Sequence, residues 1–233
     1  MKYMVILVAV LCIVMGALAV GAHAQTKAEV VPAAAAPAAA APAAAASTAD
    51  EVLVGKAANW VDGVFAVYVD RGDRGNHYIP SGWMGDYGDI KLDEGWKDKP
   101  QAGKSCIKFS YSAQGKQGAN WAGVFWQNPA NNWGEKKGGF DVRGAKKLTF
   151  WARGEKGEER IMEFKAGGIS GSYPDSDSAS IGPIDLTAEW QQYSIDLVDT
   201  DLSYINGGFC WATNADSNPD GCTFYLDNIR FEQ

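Results

Sequence analysis

Histidine is nearly absent from this chain: two occur among 233 residues, and only His77 lies beyond residue 50. A histidine-based zinc site, a serine triad and a Cys–His pair each need an imidazole beside a partner, so all three are poorly supported. No run of Lys or Arg exceeds two residues, and 28 acidic side chains stand against 21 basic ones, for a net charge of −7. That balance argues against nucleic acid as a partner. Beyond residue 50 no stretch keeps a helical apolar period for three turns, which removes helical bundles from consideration. No glycine-rich phosphate loop follows a strand-like run, and no twelve-residue calcium loop of the helical sensor type is present.

The long apolar run that does exist sits at the N-terminus. Lys2 precedes residues 4–22, which end in "AHAQ" with small residues at Ala22 and Ala24. Charge, apolar stretch and small-residue site together predict a secretory signal over 1–24, cleaved after Ala24. The run is also nearly long enough to span a bilayer, so an uncleaved anchor is the alternative. Cys12 lies inside it without the preceding small residues of a lipoprotein. Residues 25–49 contain three copies of Pro-Ala-Ala-Ala-Ala, with no large apolar group to bury and a proline in every repeat. That composition predicts an extended spacer.

Residues 50–233 are enough chain for one domain. All nine Trp and all Tyr but Tyr3 fall beyond the spacer, amid turn residues that include most of the 27 Gly. Short alternating runs appear at 64–70, 105–112, 121–127, 146–154, 160–166, 189–197 and 207–213, separated by Gly, Asp, Asn and Pro. The spacing predicts an all-β antiparallel β-sandwich, with "EKGEE" as a hairpin loop between two neighbouring strands. The closing "CTFYLDNIRFEQ" breaks its own alternation: Phe224 and Leu226 share one parity, Ile229 and Phe231 the other. A one-residue shift turns every later side chain over, so the strand must carry a β-bulge at Asp227 and Asn228 or waste an apolar pair.

The order "LTFWARGEKGEERIMEFKAGG", "IDLTAEWQQYSIDL", "LSYINGGFCWAT", "TFYLDNIRFE" resembles the second half of a bacterial carbohydrate-binding module. Such domains are β-jelly-rolls of the galactose-binding-like type, similar to family 11 modules. The resemblance covers roughly 140–233 and weakens over 50–140; the same jelly roll also serves adhesion and assembly. It implies a jelly-roll sandwich and a structural calcium at the bulge, with Asp227 as one ligand and Asp70 or Asp73 from "YVDRGDRGN" as another. The alternative is that Asp227 and Asn228 satisfy backbone donors there.

Glycan recognition needs a flat apolar ring to stack on sugar C–H groups and amides or carboxylates for hydroxyls. In "WAGVFWQ" both parities carry rings, which requires a ligand or a loop over one side. Trp126 with the following loop residues Asn128 and Trp133, Trp83 and Tyr87 from "SGWMGDYGD", and Tyr173 and Asp175 from "GSYPDSDS" form the candidate carbohydrate site. The competing reading for each Trp is that it plugs the sandwich. Acids such as Glu155, Glu158, Glu159 and Asp177 lie in turns, and the E-x-D-x-E strand pattern of sandwich-fold glucanases is absent, so no catalytic set is expected. Cys210 and Cys222 bracket a loop that a disulfide could close, although Cys210 faces outward when Phe209 and Trp211 face inward, whereas Cys222 shares the face of Phe224; Cys106 is left as a small buried hydrophobe. Two functions follow. One is a secreted, periplasmic or cell-surface, non-catalytic polysaccharide-binding module, serving an enzyme or surface partner, with no membrane contact beyond the signal. The other is a structural or adhesion module of the envelope with a protein partner.

Overall fold

The computed structural model describes residues 52–233. The signal segment, the cleavage point after Ala24 and the Pro-Ala spacer lie outside the described residues. The chain first lays down β1 (Lys56–Ala57), β2 (Val64–Tyr68), β3 (Ile79–Gly85), β4 (Ile90–Trp96), β5 (Cys106–Tyr111), β6 (Trp121–Gln127), β7 (Phe140–Asp141) and β8 (Lys147–Gly154). It continues through β9 (Arg160–Ile161), β10 (Glu163–Gly167), β11 (Ser178–Ile181), β12 (Ile184–Asp185), β13 (Gln191–Asp196), β14 (Gly207–Asn214) and β15 (Cys222–Glu232). A five-stranded sheet runs β11-β10-β14-β6-β3, and a six-stranded sheet runs β13-β8-β15-β5-β4 with β2 also beside β15. Pairing in both is antiparallel, as an all-β sandwich requires.

Alternation places the core. Ile107 and Phe109 of β5, Leu148, Phe150 and Ala152 of β8, Ala122, Val124 and Trp126 of β6, and Phe209 and Trp211 of β14 are all fully buried between the sheets. Rings bridge the gap: Phe109 meets Trp211 at 4.8 Å between centroids, and Phe150 meets Phe164 at 4.6 Å. Truncating one such ring to alanine should cost about 3–5 kcal/mol, because little can collapse into the space.

Residues 155–159 do not form the expected hairpin. β8 belongs to the six-stranded sheet and β10 to the five-stranded one, so this segment crosses between sheets, and the short β9 pairs instead with β12. Alternation alone does not distinguish a turn within a sheet from a crossing between two, since both leave the parity of each strand intact.

The terminal strand does carry the bulge. Asp227 pairs with Trp151 and Arg230 with Thr149, so Asn228 and Ile229 together oppose Phe150. Phe224, Leu226, Ile229 and Phe231 are consequently all buried. The bulge also marks an exchange of neighbour: before it β15 pairs with β5, after it with β2. Asn228 takes a positive φ of 47°, a region open to Asn and Gly but costly for branched residues. Asn228→Val should therefore destabilise the domain by about 1–2 kcal/mol and Asn228→Gly by less. Urea unfolding curves measure both, and equal midpoints for the two variants would contradict a backbone origin.

Candidate functional site

The two outer faces differ. On the six-stranded sheet, Arg153 lies 3.8 Å from the centroid of the Tyr225 ring and Lys108 lies 4.0 Å from that of Trp96. Tyr225 and Arg153 are buried against the half-buried side chains of Trp96, Lys108 and Trp190. The five-stranded sheet is covered at one end only, where Phe125, Ile169 and Cys210 pack together beneath surrounding loops, with Met84 against them.

Strand registers lay out the open part in rows. Glu163, Ala212, Gly123 and Met84 face one another across β10, β14, β6 and β3. The next row toward the covered end holds Lys165, Cys210, Phe125 and Gly82; the row on the other side pairs Asn214 with Trp121. The middle row has small residues at its centre, so the sheet dips between Trp121 and Phe125. At 3.3 Å per residue these two positions are about 13 Å apart along β6. Gly123 has no room for a side chain: a Cβ there would lie 2.5 Å from the Trp211 carbonyl oxygen and 3.0 Å from Met84 Cε. Gly85, at φ 60°, serves Trp121 in the same way, since a Cβ there would lie 3.0 Å from Cδ2 of the indole. The second wall ends in Trp133, whose ring stands edge-on to Phe125 at 6.1 Å and 89°. Trp121 and Trp133 are the exposed indoles next to these rows, and the strip of small residues beside Trp121 is called the trough. Glu163, Lys165 and Asn214, each half-buried, stand beside it.

The structure distributes the expected binding residues unevenly. Trp83 is 37% exposed, Trp133 39% and Tyr87 53%, while Trp121, not among the expected residues, is 40% exposed. Trp126 is corrected: it is wholly buried against Phe209 and Phe109, because its parity is that of Ala122 and Val124. The outward ring of "WAGVFWQ" is Trp121, on the parity of Gly123 and Phe125. The signal was that glycine, which marks the face where bulk is excluded. Asn128 is also corrected; its Nδ2 donates to the His77 carbonyl at 2.9 Å and holds the loop. Asn132 and Gln127, both buried, hold the same loop through Lys136 and the Asn132 carbonyl. Tyr173 is half-buried, with its carbonyl accepting from Asn206 Nδ2. Asp175 accepts the amides of Ile169, Asn206 and Gly207, which makes it a loop anchor.

The disulfide is not formed: Cys106, Cys210 and Cys222 are all free and buried. Cys210 faces outward in one sheet, opposite Phe125, while Cys222 pairs with Tyr111 in the other, so the loop between them crosses the sandwich. Burial pushes the Cys222 and Cys106 thiols up to about 12.

Asp70, Asp73 and Asp227 do not fit a calcium site. Asp227 accepts the amides of Gln101, Ala102 and Asn228, and Asp70 those of Lys104 and Ser105. Asp73 closes its own turn on Gly75. Calcium needs converging oxygens, whereas these carboxylates are met by N–H groups whose positive ends oppose a cation. Among the described residues no group of three or more His, Cys, Asp or Glu is placed to hold a metal. The bulge thus serves its backbone donors, the alternative raised by the sequence.

No protein-family model and no curated protein matches this sequence. Solved structures similar to this chain are carbohydrate-binding modules. A family 30 module of a cellulosomal cellulase from Clostridium thermocellum aligns over 72% of this chain and 95% of its own, at 14% identity and a TM-score of 0.48. A family 11 module of another cellulosomal cellulase from Clostridium thermocellum aligns over 74% of this chain and 96% of its own, at 15% identity and a TM-score of 0.48. A substituted family 29 module aligns over 72% and 91%, at 14% identity and a TM-score of 0.44. Ligand identity does not follow from a likeness at this level.

Burial raises the Asp227 carboxyl to about 6, against the pull of its three amide bonds. A carboxyl whose folded pKa lies above its unfolded value contributes stability fully present below about pH 4 and lost as the pH rises through 6. Asp86 and Asp89, held below the ordinary value by their hydrogen bonds, act oppositely and lose their contribution as the pH falls. Asp227→Asn should therefore flatten the melting-temperature profile between pH 4 and 7 relative to wild type. The same melts with EDTA should be unchanged; a chelator-induced drop would restore the calcium.

Proposed function

We propose that this chain is an exported, non-catalytic polysaccharide-binding module whose glycan lies in the trough of the five-stranded sheet, between Trp121 and Trp133. The carrying observation is Trp121: a large, exposed indole beside the small residues Gly123 and Ala212. A sugar ring can stack on such an indole, with hydroxyls reaching Glu163, Lys165 and Asn214. Trp83 pairs with the core-facing Val124, so it stands on the other face of the edge strand β3 and lies outside this surface. Asp70, Asp86, Asp89, Asp175 and Asp227 each accept main-chain amides, which gives these five acids a part in holding loops. The one histidine of the domain is likewise structural, with Nδ1 on the Ala66 carbonyl and its ring stacked on Phe65. Export and display rest on the N-terminal signal and the Pro-Ala spacer, which would let weak single contacts act by avidity.

Each engaged ring should contribute roughly 1 kcal/mol, so Trp121→Ala and Trp133→Ala should each weaken glycan binding about five- to tenfold with little change in melting temperature. Trp126→Ala should lower the melting temperature sharply instead. Affinity electrophoresis against β-glucans, xylans and galactans, with melting curves alongside, separates these outcomes. Failure of every polysaccharide to retard the wild-type protein would favour a structural or adhesion module.

A further inference from the structure

Trp121 opens β6, and the backbone on both sides of it is held by one residue. Asp86 follows the last residue of β3 and has no exposed surface. Its amide donates to the Trp121 carbonyl at 2.7 Å. Its carboxylate takes the loop that precedes Trp121: Oδ1 accepts the amides of Gln117 and Ala119 at 2.7 and 3.0 Å, and Oδ2 that of Asn120 at 2.7 Å. Asp86 thus holds three amides leading into the indole and the carbonyl leading out of it. Asn120, immediately before the indole, takes a left-handed φ of 64°. That conformation costs a non-glycine residue energy and persists where its surroundings hold it. Besides the amide on Asp86, Asn120 is held by its carbonyl, which accepts the Ala215 amide at 3.1 Å, and by its side chain, which donates to Asp216 at 3.3 Å. Gly85 completes the contact, since a Cβ there would lie 2.2 Å from the Trp121 carbonyl oxygen.

We propose that Asp86 is a positioning residue for glycan binding, setting the Trp121 indole in place without touching the ligand itself. The inference rests on the reading that a sugar stacks on Trp121. The neighbouring Asp89 shows why the role falls to Asp86 rather than to any anchor of this loop. Asp89 is also buried and ties the same loop, but through Ser112, Gln114 and Gly115, further back along the chain from the indole. Only Asp86 holds the residue directly before Trp121 and Trp121 itself. An asparagine at position 86 would keep one accepting oxygen and turn an NH2 donor toward an N–H group, so the Asn120 amide or the Gln117 and Ala119 pair would lose its acceptor. A ring whose backbone is free to shift gives up part of its stacking contribution to being ordered by the ligand.

Affinity electrophoresis of Asp86→Asn, Trp121→Ala and the double variant against β-glucans, xylans and galactans, with Asp89→Asn as control, tests the proposal. Asp86→Asn should weaken binding about five- to tenfold, the loss expected for Trp121→Ala, because it acts through that ring. In the Trp121→Ala background the same substitution should change binding by less than about twofold, whereas independent effects would multiply. Asp89→Asn should lower the melting temperature and leave affinity as in wild type. A second measurement covers the case in which Asp86→Asn fails to fold. In the wild-type protein the amides of Gln117, Ala119 and Asn120 should exchange slowly with deuterium, and the Trp121 indole N–H should give one sharp NMR resonance. That resonance should broaden in Asp86→Asn and not in Asp89→Asn. The proposal is overturned by wild-type affinity in Asp86→Asn, by losses that multiply in the double variant, by an equal loss in Asp89→Asn, or by loop amides that exchange as fast as those of an unstructured peptide. If no polysaccharide retards the wild-type protein, glycan binding itself fails, and an indole resonance unchanged in Asp86→Asn then overturns the positioning separately.

Discussion

Main-chain amides at the ends of a β-sandwich have no ladder partner, and in this chain buried and half-buried aspartates take them. Asp86 accepts the amides of Gln117, Ala119 and Asn120, and Asp89 those of Gln114 and Gly115. Asp70 and Asp227 divide the 101–105 loop between them, and Asp175 ties Ile169 to Asn206 and Gly207. Hydrogen bonds to a charged acceptor contribute about 1.5–3 kcal/mol each, so every such aspartate holds a loop that would otherwise be free to leave. The acidic balance of the chain is, in this light, a consequence of loop architecture as much as of surface solvation. Two of these anchors, Asp175 and Asp227, are desolvated enough that burial raises their carboxyls to about 6. The anchoring is therefore opposed by the cost of burying charge.

The bulge at Asp227 and Asn228 joins this anchoring to the sheet. β15 lies beside β8 along its length but exchanges β5 for β2 on its other side. A straight strand would have presented Phe224 and Leu226 to the core and turned Ile229 and Phe231 to water. One extra residue returns both pairs inward and leaves Asp227 facing the 101–105 loop, where its carboxylate is used. The bulge, the neighbour exchange and the anchor are thus one local solution rather than three features.

Much of this was legible from periodicity. The all-β class, the strands with clear alternation and the choice between a bulge and a wasted apolar pair followed from parity, a local property that burial enforces residue by residue. β3 and β4, whose sequences are broken by Gly, Pro and charges, did not. The crossing at 155–159 was not legible, since a turn within a sheet and a passage between sheets leave the same alternation behind. The role of each aspartate was hidden for a related reason. Asp227 and Asp175 look like ligand residues in a loop, and only the folded chain reveals which amides come within reach of their oxygens. Within "WAGVFWQ" the choice between Trp121 and Trp126 was open to a stricter reading. Gly123 shares its parity with Trp121, and a glycine amid apolar neighbours marks a face where backbone or ligand must come close. The cysteines follow the same logic: the mismatch between Cys210 and Cys222 was visible, whereas their placement in different sheets was not.

A glycine in the middle of a central strand ordinarily weakens it, because it adds chain entropy and packs nothing. Gly123 is tolerated because β6 is flanked by β14 and β3 on both sides and its neighbours Val124 and Trp126 are fully buried beneath it. On the outer face the missing side chain lets Met84 lie against the strand. The same economy recurs at Gly85, where the missing side chain lets the indole of Trp121 lie against the neighbouring strand. An aromatic ring supported in this way has little rotamer freedom left to lose when a ligand stacks on it. Ordering a free side chain on binding costs about 0.5–1.5 kcal/mol, comparable to the stacking energy itself. A ring held in advance by the sheet keeps most of that energy for the ligand. A ring on a mobile loop would not, and this is why the small residues beneath the indole matter as much to the proposed binding as the indole does.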